Sequence, residues 1–140
     1  MLRPMSQFHF ANDVTVRFAE TDAQGVAHHA SYIVWFEVTR IEYLRRFRGG
    51  YSGLREEGVD ALTLEAYAKY VDAAQFDDRL TIRARCSEVR GARFRFDYLV
   101  EREGERVAEG WTTHACVTVG EHRPTRIPGW LAEAIAEAES

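Results

Sequence analysis

One segment of this 140-residue chain is a predicted helix whose early turns are apolar on nearly every side. Within residues 31–47, the apolar positions are Ile33, Val34, Trp35, Phe36, Val38, Ile41, Leu44 and Phe47. A helix on a protein surface has a single apolar stripe, so we expect this one to be surrounded by other structure. The glycines at positions 49 and 50 are predicted to end it.

The segments on either side of this helix have the pattern of β-strands. Residues 13–20 alternate with the period of a half-buried strand. Four longer extended segments follow the helix, separated by turn residues, and they cover residues 61–73, 79–89, 93–101 and 106–119. Long strands joined by tight turns predict an antiparallel meander, followed by a short amphipathic helix over residues 130–138. The chain is therefore predicted to be α+β, with a five-stranded antiparallel sheet curved around the long helix.

Composition limits the domain count and the class of partner. A length of 140 residues with 46% hydrophobic residues predicts a single domain, residues 1–140, with its core over about 13–128. The net charge of −4 comes from mixed signs, with Lys69 as the only lysine and arginine as every other basic residue. This argues against a nucleic-acid surface, which needs clustered excess positive charge. Cys86 and Cys116 lack metal-ligand spacing, so we expect reduced, packed thiols. No signal peptide or membrane-length apolar run is visible, which predicts a cytoplasmic protein.

A carboxylate and a glycine precede the long helix, in the run Asp22-Ala23-Gln24-Gly25. This order predicts that Asp22 lies at a helix N-terminus, where unpaired N–H groups and the helix dipole favour negative charge. Asp22 could then act as a nucleophile or general base, or it could be only a cap or turn residue. His28 and His29 follow directly, but neighbouring residues seldom chelate one ion, so no metal site is predicted.

The same region resembles the hotdog-fold acyl-CoA thioesterases of the 4-hydroxybenzoyl-CoA thioesterase type. The resemblance is carried by Arg17 to Val26, His29-Ala30-Ser31-Tyr32, Phe36-Glu37 and Arg40, and continues more weakly through Phe76 to Leu80, Arg90-Gly91 and Arg123 to Pro128. It implies the hotdog fold and hydrolysis of an acyl-CoA to a carboxylic acid and free coenzyme A, with no metal or redox cofactor.

The resemblance also implies roles for particular residues. Asp22 matches the family's catalytic carboxylate, and the backbone N–H of His29 matches the donor to the thioester carbonyl. In one branch of the family a histidine side chain at this position also assists. Arg90 matches a contact to the coenzyme A phosphates, while Arg93 is nearby without a clear counterpart and Arg126 is a weaker candidate.

One position departs from that branch. Phe18 stands where related enzymes often carry a tyrosine whose hydroxyl is thought to help catalysis. A phenylalanine cannot donate a proton, so either that hydroxyl is dispensable here or water is positioned by another group.

Four further residues of the long helix and one histidine have structural interpretations. Glu37 and Arg40 are three apart, on one helix face, and are predicted to form a buried ion pair. Tyr32 either lines the acyl pocket or packs in the core, and so does Trp35. His114 lies in a strand-like run and is predicted to be a half-buried packing residue.

Alternative functions remain open on the sequence alone. A hotdog hydratase or dehydratase would need an acid–base pair, which only Asp22 and His29 could supply. A non-catalytic acyl-CoA-binding protein of the same fold is the other alternative. Long strands need their edges covered, so we expect at least a homodimer, and favour a homotetramer. The resemblance implies that this association also builds the active site from two chains.

Overall fold

The computed structural model describes residues 7–140, which form five strands and three α-helices. The elements in chain order are β1 (Phe10–Thr15), a 3-10 turn (Phe18–Glu20), α1 (His29–Arg45), α2 (Tyr51–Glu56), β2 (Val59–Tyr70), β3 (Arg79–Arg90), β4 (Arg93–Arg102), β5 (Glu105–Thr118) and α3 (Gly129–Ala138). The predicted long helix, the later strands and the C-terminal helix are confirmed, each within a few residues. The first predicted strand is shorter than expected, because the chain turns at residue 18.

The five strands form one antiparallel sheet in the order β1-β3-β4-β5-β2. Strands β3, β4 and β5 are the predicted meander, but β2 pairs with β5 and not with β3, so the four-strand meander was wrong. Residues 71–78 do not form a hairpin turn. Their backbone instead bonds to earlier parts of the chain, through Val16 N–H to Asp78 O at 2.9 Å and Ala27 N–H to Ala74 O at 2.7 Å.

Helix α1 packs against the inner face of the sheet. Its Phe36 ring stacks on Tyr98 of β4 with the ring centroids 4.3 Å apart. At Gly110 of β5, a Cβ atom would lie 2.6 Å from the Phe36 ring and 2.2 Å from the Tyr67 carbonyl oxygen. The helix can approach the sheet this closely only because position 110 has no side chain.

The ends of α1 and the C-terminal helix are fixed by specific contacts. Gly49 and Gly50 both have positive φ, and a Cβ at Gly50 would lie 2.9 Å from the Leu44 carbonyl, which explains the turn that follows α1. At the other end of the chain, the Glu139 carboxylate accepts hydrogen bonds from the Tyr43 hydroxyl and from the Cys86 N–H. These bonds tie the end of α3 to α1 and β3.

Cys86 and Cys116 are buried and unbonded to each other, as predicted. Burial raises the pKa of the Cys86 thiol to about 12, with a further contribution from the Glu139 carboxylate. Burial also raises the pKa of Cys116 to about 11.

The predicted ion pair between Glu37 and Arg40 is wrong. Glu37 is exposed, whereas Arg40 is only 7% exposed and donates to two tyrosine hydroxyls. Its Nε lies 2.9 Å from the Tyr51 oxygen and its Nη1 lies 3.1 Å from the Tyr98 oxygen. Residues that are three apart lie on neighbouring parts of a helix surface. Here, however, Glu37 faces solvent and Arg40 is buried.

Hydrogen bonds continue from Arg40 across the sheet. The Tyr98 oxygen lies 2.7 Å from Thr112 Oγ1, which lies 2.7 Å from Nε2 of His114. Nδ1 of His114 in turn lies 3.3 Å from Thr63 Oγ1 on β2. We call Arg40, Tyr51, Tyr98, Thr112 and His114 the buried polar chain, which ends at the exposed Thr63.

His114 is more buried than predicted, at 1% exposed, and its ring stacks on Phe94. Burial lowers the pKa of His114 to about 3, with a further contribution from the nearby Arg40 charge. His114 is therefore a neutral hydrogen-bonding residue of the core.

Within residues 7–140, each helix is either too short or too polar to cross a lipid bilayer.

Candidate active site

The loop that carries Asp22 is a small hairpin over residues 21–27. Thr21 and Ala27 form a β-bridge, and the Asp22 N–H donates to the Val26 oxygen at 2.8 Å. Gly25 has φ of +82°, a conformation that glycine adopts without the strain of a side chain. This tight turn presents the Asp22 side chain on the surface of the protein.

Asp22 itself stabilises that turn but does not cap helix α1. Its Oδ1 accepts from the Gln24 N–H at 2.8 Å, and its carbonyl accepts from the Gly25 N–H at 3.0 Å. The N-cap is His28, whose Nδ1 accepts from the Ala30 N–H at 3.1 Å. The prediction that Asp22 lies at the helix N-terminus was therefore wrong in detail, because the rest of the hairpin separates Asp22 from His28 and the start of α1 in sequence.

Glu20 anchors this hairpin to the body of the protein. Its carboxylate is buried and accepts from the Arg17 N–H at 2.8 Å and from Trp35 Nε1 at 2.9 Å. Its carbonyl accepts from the His28 N–H at 2.8 Å and from Ser31 Oγ at 3.1 Å. Burial by itself would raise the pKa of Glu20, but these hydrogen bonds and the Arg17 charge bring that pKa below its usual value. Glu20 thus remains ionised and holds both ends of the loop.

A cavity of about 520 Å³ brings the Asp22 loop and the start of α1 together. Its lining residues are Asp22, Val26, Ala27, His29, Tyr32, Tyr70, Val71, Asp72 and Ala73. The Tyr70 hydroxyl donates to the His29 carbonyl at 3.0 Å, which connects the end of β2 to the first turn of α1. Two predicted site residues, Asp22 and His29, therefore share one cavity.

The first turn of α1 borders this cavity through His29. Within residues 7–140, the His29 N–H has no hydrogen-bond acceptor, as is usual for the first residue of a helix. The positive end of the helix dipole lies at the same place. An oxygen that gains negative charge in this cavity would be stabilised there, close to a carboxylate that could act as nucleophile or base.

Val71, Asp72 and Ala73 line the cavity at the start of the segment 71–78, and Arg102 of β4 holds this segment. Its Nη1 donates to the Ala73 carbonyl at 2.8 Å and to the Asp78 carboxylate at 2.9 Å. Its Nη2 donates to the Asp72 carboxylate at 2.8 Å. One guanidinium group therefore holds three residues of this segment.

The structure resolves what the sequence left open for two aromatic residues of α1. Tyr32 lines the cavity and is only 3% exposed, so it both packs and contributes to the site. Burial raises the pKa of its hydroxyl. Trp35 packs in the core and donates to Glu20, so its contribution to the site is indirect.

The remaining candidates lie elsewhere. Arg90 and Arg93 flank the β3–β4 turn, and both are exposed, with Arg90 3.5 Å from Glu88. They do not line the cavity. Arg126 is exposed in the connection to α3. Phe18 is 78% exposed and packs edge-on against Phe76 at 5.9 Å.

Sequence reasoning missed four residues of this region: Glu20, Tyr70, Asp72 and Arg102. Glu20 and Tyr70 lie within predicted strands, where a glutamate or tyrosine usually faces solvent, so the pattern gives no signal of their contacts. Asp72 and Arg102 are 30 residues apart, and their ion pair follows from the crossing of residues 71–78 to the other edge of the sheet. Only the three-dimensional topology reveals it.

Among residues 7–140, no group of three or more histidine, cysteine or acidic side chains has the arrangement of a metal site.

A long helix packed on one face of a five-stranded antiparallel sheet, with a cavity at the N-terminus of that helix, defines a hotdog-fold protein. One face of the helix, with Val34 and Val38, stays exposed, so the expectation that other structure surrounds it is not met within residues 7–140. The crystal structure of Slr0204, a 1,4-dihydroxy-2-naphthoyl-CoA thioesterase from Synechocystis, matches this fold with a TM-score of 0.84 at 19% identity, and covers 94% of this chain and 98% of that one. The predicted fold class is confirmed.

The sequence comparisons place the chain in a family. The model of the thioesterase-like superfamily matches residues 16–135, and the chain belongs to that superfamily. A putative esterase of Aquifex aeolicus is 37% identical over 105 residues, covering 75% of this chain and 82% of that protein. The acyl-CoA thioesterase YbgC of Haemophilus influenzae is 35% identical over 120 residues, covering 85% and 88%. The prediction of a thioester hydrolase is confirmed at the level of the family.

Proposed function

We propose that this protein hydrolyses an acyl-CoA thioester to a carboxylic acid and free coenzyme A. The observation that carries the proposal is the cavity shared by the Asp22 carboxylate and the first turn of α1, with its unpaired His29 N–H. The relationship to YbgC of Haemophilus influenzae supports the choice of an acyl-CoA as the substrate.

The proposed chemistry uses a base or a nucleophile and an oxyanion donor. The thioester carbonyl oxygen accepts from the His29 N–H, and negative charge that develops on this oxygen is stabilised by the helix dipole. Asp22 either removes a proton from the attacking water or attacks the carbonyl carbon itself. In both cases the C–S bond breaks and coenzyme A leaves as a thiolate. In the second case, water then hydrolyses the acyl–Asp22 anhydride and regenerates the carboxylate.

No metal or redox cofactor is required by this chemistry. His29 lines the cavity, and its ring centroid lies 4.0 Å from that of His28, so we propose that its side chain assists the leaving thiolate or a water molecule. Buried, reduced thiols at Cys86 and Cys116 agree with a cytoplasmic enzyme.

We further propose that the working enzyme is a homodimer or homotetramer joined through β2. Strand β2 pairs with β5 along one side only, and most of its 12 residues are exposed. Its exposed apolar side chains include Leu62, Leu64 and Tyr67, and Val34 and Val38 on α1 are exposed as well. A long apolar edge strand is a ready site for pairing with a second chain.

Pairing of two β2 strands would also bring the missing cationic groups to the cavity. The cavity lies at the Tyr70 end of β2, whereas Arg90 and Arg93 lie at the opposite end of the sheet, because Arg93 pairs with Ala115 and the neighbouring Cys116 pairs with Ala61. Antiparallel pairing about a two-fold axis places one end of β2 beside the opposite end of its copy. The β3–β4 turn of the second copy would then approach this cavity, and its arginines could contact the coenzyme A phosphates.

A panel of acyl-CoA thioesters, aromatic and straight-chain, tests the activity by release of free thiol. We expect turnover of at least one thioester, and an Arg90→Ser, Arg93→Ser double variant with a raised KM and little change in kcat. A protein that binds acyl-CoA without turnover would be the non-catalytic alternative. Loss of the conjugated double bond of an enoyl-CoA would instead identify the hydratase alternative.

Sedimentation at micromolar concentration tests the assembly. We expect a dimer or tetramer, and a Leu64→Arg variant that dissociates and loses activity together. An active monomer would contradict a site shared between two chains. Glu56→Arg, a charge change at an exposed residue of α2 outside β2, serves as the matched control and should leave the assembly intact.

A further inference from the structure

A second carboxylate, Asp72, lines the cavity that contains Asp22, and the proposed chemistry gives it no role. Its side chain is 58% exposed, and Asp72 lies two residues after the end of β2. A carboxylate at this position affects any acyl group that enters the cavity.

Asp72 is held in place from two sides. Its Oδ1 accepts from the Ala73 N–H at 2.8 Å, and its Oδ2 accepts from Nη2 of Arg102 at 2.8 Å. The same guanidinium also binds the Asp78 carboxylate. Two carboxylates therefore share one positive charge, and the group as a whole keeps a net negative charge.

The lining of the cavity adds no compensating cation. Its nine residues within the described chain include two carboxylates, Asp22 and Asp72, and no lysine or arginine. The other side chains are mainly apolar, such as Val26 and Val71, or aromatic, such as Tyr32. When the thioester carbonyl lies at the His29 N–H, the acyl group extends into this same space. A carboxylate on that acyl group would face Asp22 and Asp72, and the charge of Asp72 is only partly offset by Arg102, which also binds Asp78.

We propose that Asp72 is a specificity residue that excludes acyl groups with a carboxylate, so that the substrate is the thioester of an uncharged acyl group. The inference rests on the proposed function, since it assigns the acyl end of the substrate to the Asp22 cavity. The coenzyme A phosphates are not affected, because the long pantetheine arm carries them away from the thioester.

The experiment compares hexanoyl-CoA with adipoyl-CoA, which differ by the exchange of a terminal methyl for a carboxylate. We expect the wild-type protein to prefer hexanoyl-CoA in kcat/KM, and Asp72→Asn to raise the adipoyl-to-hexanoyl ratio about tenfold by removing one like charge. Asparagine keeps one oxygen, which can still accept from the Ala73 N–H, and loses the bond from Arg102 Nη2. Arg102 keeps its bonds to the Ala73 carbonyl and to Asp78, so the wall of the cavity should remain in place. Asp77→Asn is the matched control, because Asp77 is an exposed carboxylate of the same segment that does not line the cavity, and its positive φ suits asparagine.

Binding of two non-hydrolysable thioethers, S-hexyl-CoA and S-(5-carboxypentyl)-CoA, separates this inference from the proposed function. If no thioester is hydrolysed, the proposed function fails, and calorimetry on the thioethers still measures the preference against a carboxylate. A wild-type protein that accepts both acyl groups equally would overturn the inference. The same conclusion would follow if Asp72→Asn and Asp77→Asn gave the wild-type ratio in hydrolysis and in binding.

Discussion

The Asp22 cavity and the buried polar chain both depend on helix α1, but their polar groups differ in exposure and in the number of their partners. In the cavity, Asp22 and His29 are exposed and make few side-chain contacts with the rest of the protein. In the buried polar chain, Arg40 is 7% exposed and His114 is 1% exposed, and each bonds to two partners.

The difference lies in what positions the groups. The carboxylate of Asp22 is placed by a backbone hairpin and by Glu20 behind it, so its own side chain is free to react. Arg40 is placed by the tyrosines that it binds, and these bonds compensate the cost of burying its charge. Substitutions in the first region should therefore change activity, and substitutions in the second should change stability.

The largest expected effect is on activity. Asp22→Asn should lower kcat by at least about a thousandfold, because the amide keeps the size of the side chain and loses its charge. The free energy of unfolding should change by no more than about 0.5 kcal/mol, since the asparagine oxygen can still accept from Gln24. Thiol release and urea unfolding measure the two effects. A variant with more than about a tenth of the wild-type kcat would remove Asp22 from the chemistry.

The next effect is on stability. Arg40→Met should lower the free energy of unfolding by about 3 kcal/mol, because Tyr51 and Tyr98 each lose a buried donor. Urea denaturation of Glu37→Gln gives the control, and this exposed residue should contribute less than about 0.5 kcal/mol. A large loss of free energy of unfolding in Glu37→Gln would instead support the ion pair between Glu37 and Arg40, which the structure does not contain.

A pH-dependent effect comes from His114. Its pKa falls from the ordinary 6.5 to about 3 in the folded protein. Between these two values the unfolded chain binds a proton that the folded chain does not, so stability decreases as the pH is lowered. The expected slope is about 1.4 kcal/mol per pH unit, and it begins below the unfolded pKa near 6.5.

Urea unfolding of the wild type and of His114→Gln at pH 6 and pH 5 isolates this contribution, because other titrating groups are common to both. The slope of stability against pH should be smaller in the variant. Equal slopes would mean that His114 takes up a proton without unfolding, and that the buried polar chain can hold a second positive charge near Arg40.

The smallest expected effect returns to the cavity. His29→Ala should lower kcat by about tenfold, since the backbone N–H survives and only the side-chain contribution is lost. His28→Asn, which keeps an N-cap acceptor at the adjacent position, is the control and should retain most of the activity. If His29→Ala were as inactive as Asp22→Asn, the imidazole would be an essential acid or base.

Local pattern was sufficient for much of the fold. The long helix, its glycine stop and the strands from residue 59 onwards follow from hydrophobic periodicity and turn residues, which act over short stretches of chain. The strand order could not be derived in this way. The Asp77-Asp78 turn signal fits a hairpin as well as the crossing that the structure contains, and the choice depends on contacts with Val16 and Ala27.

For the candidate site, the residues of the motif were found and their surroundings were not. Asp22 and His29 were predicted from the run between the first strand and α1 together with its resemblance to the hotdog thioesterases, and they do share a cavity. The partners of Arg40 could not, because Tyr51 and Tyr98 lie on other elements and only packing decides which side chain meets the guanidinium. Asp72 was missed for the same reason.

The two buried cysteines give the hydrolysis assay an internal reference. A thiol reagent reacts with thiolates, and the raised pKa values and burial of Cys86 and Cys116 keep both thiols protonated and inaccessible in the folded protein. Thiol released from substrate is therefore measured against a low background. Any slow reaction of the protein's own cysteines then measures opening of the folded structure. One assay can therefore record both turnover and this opening.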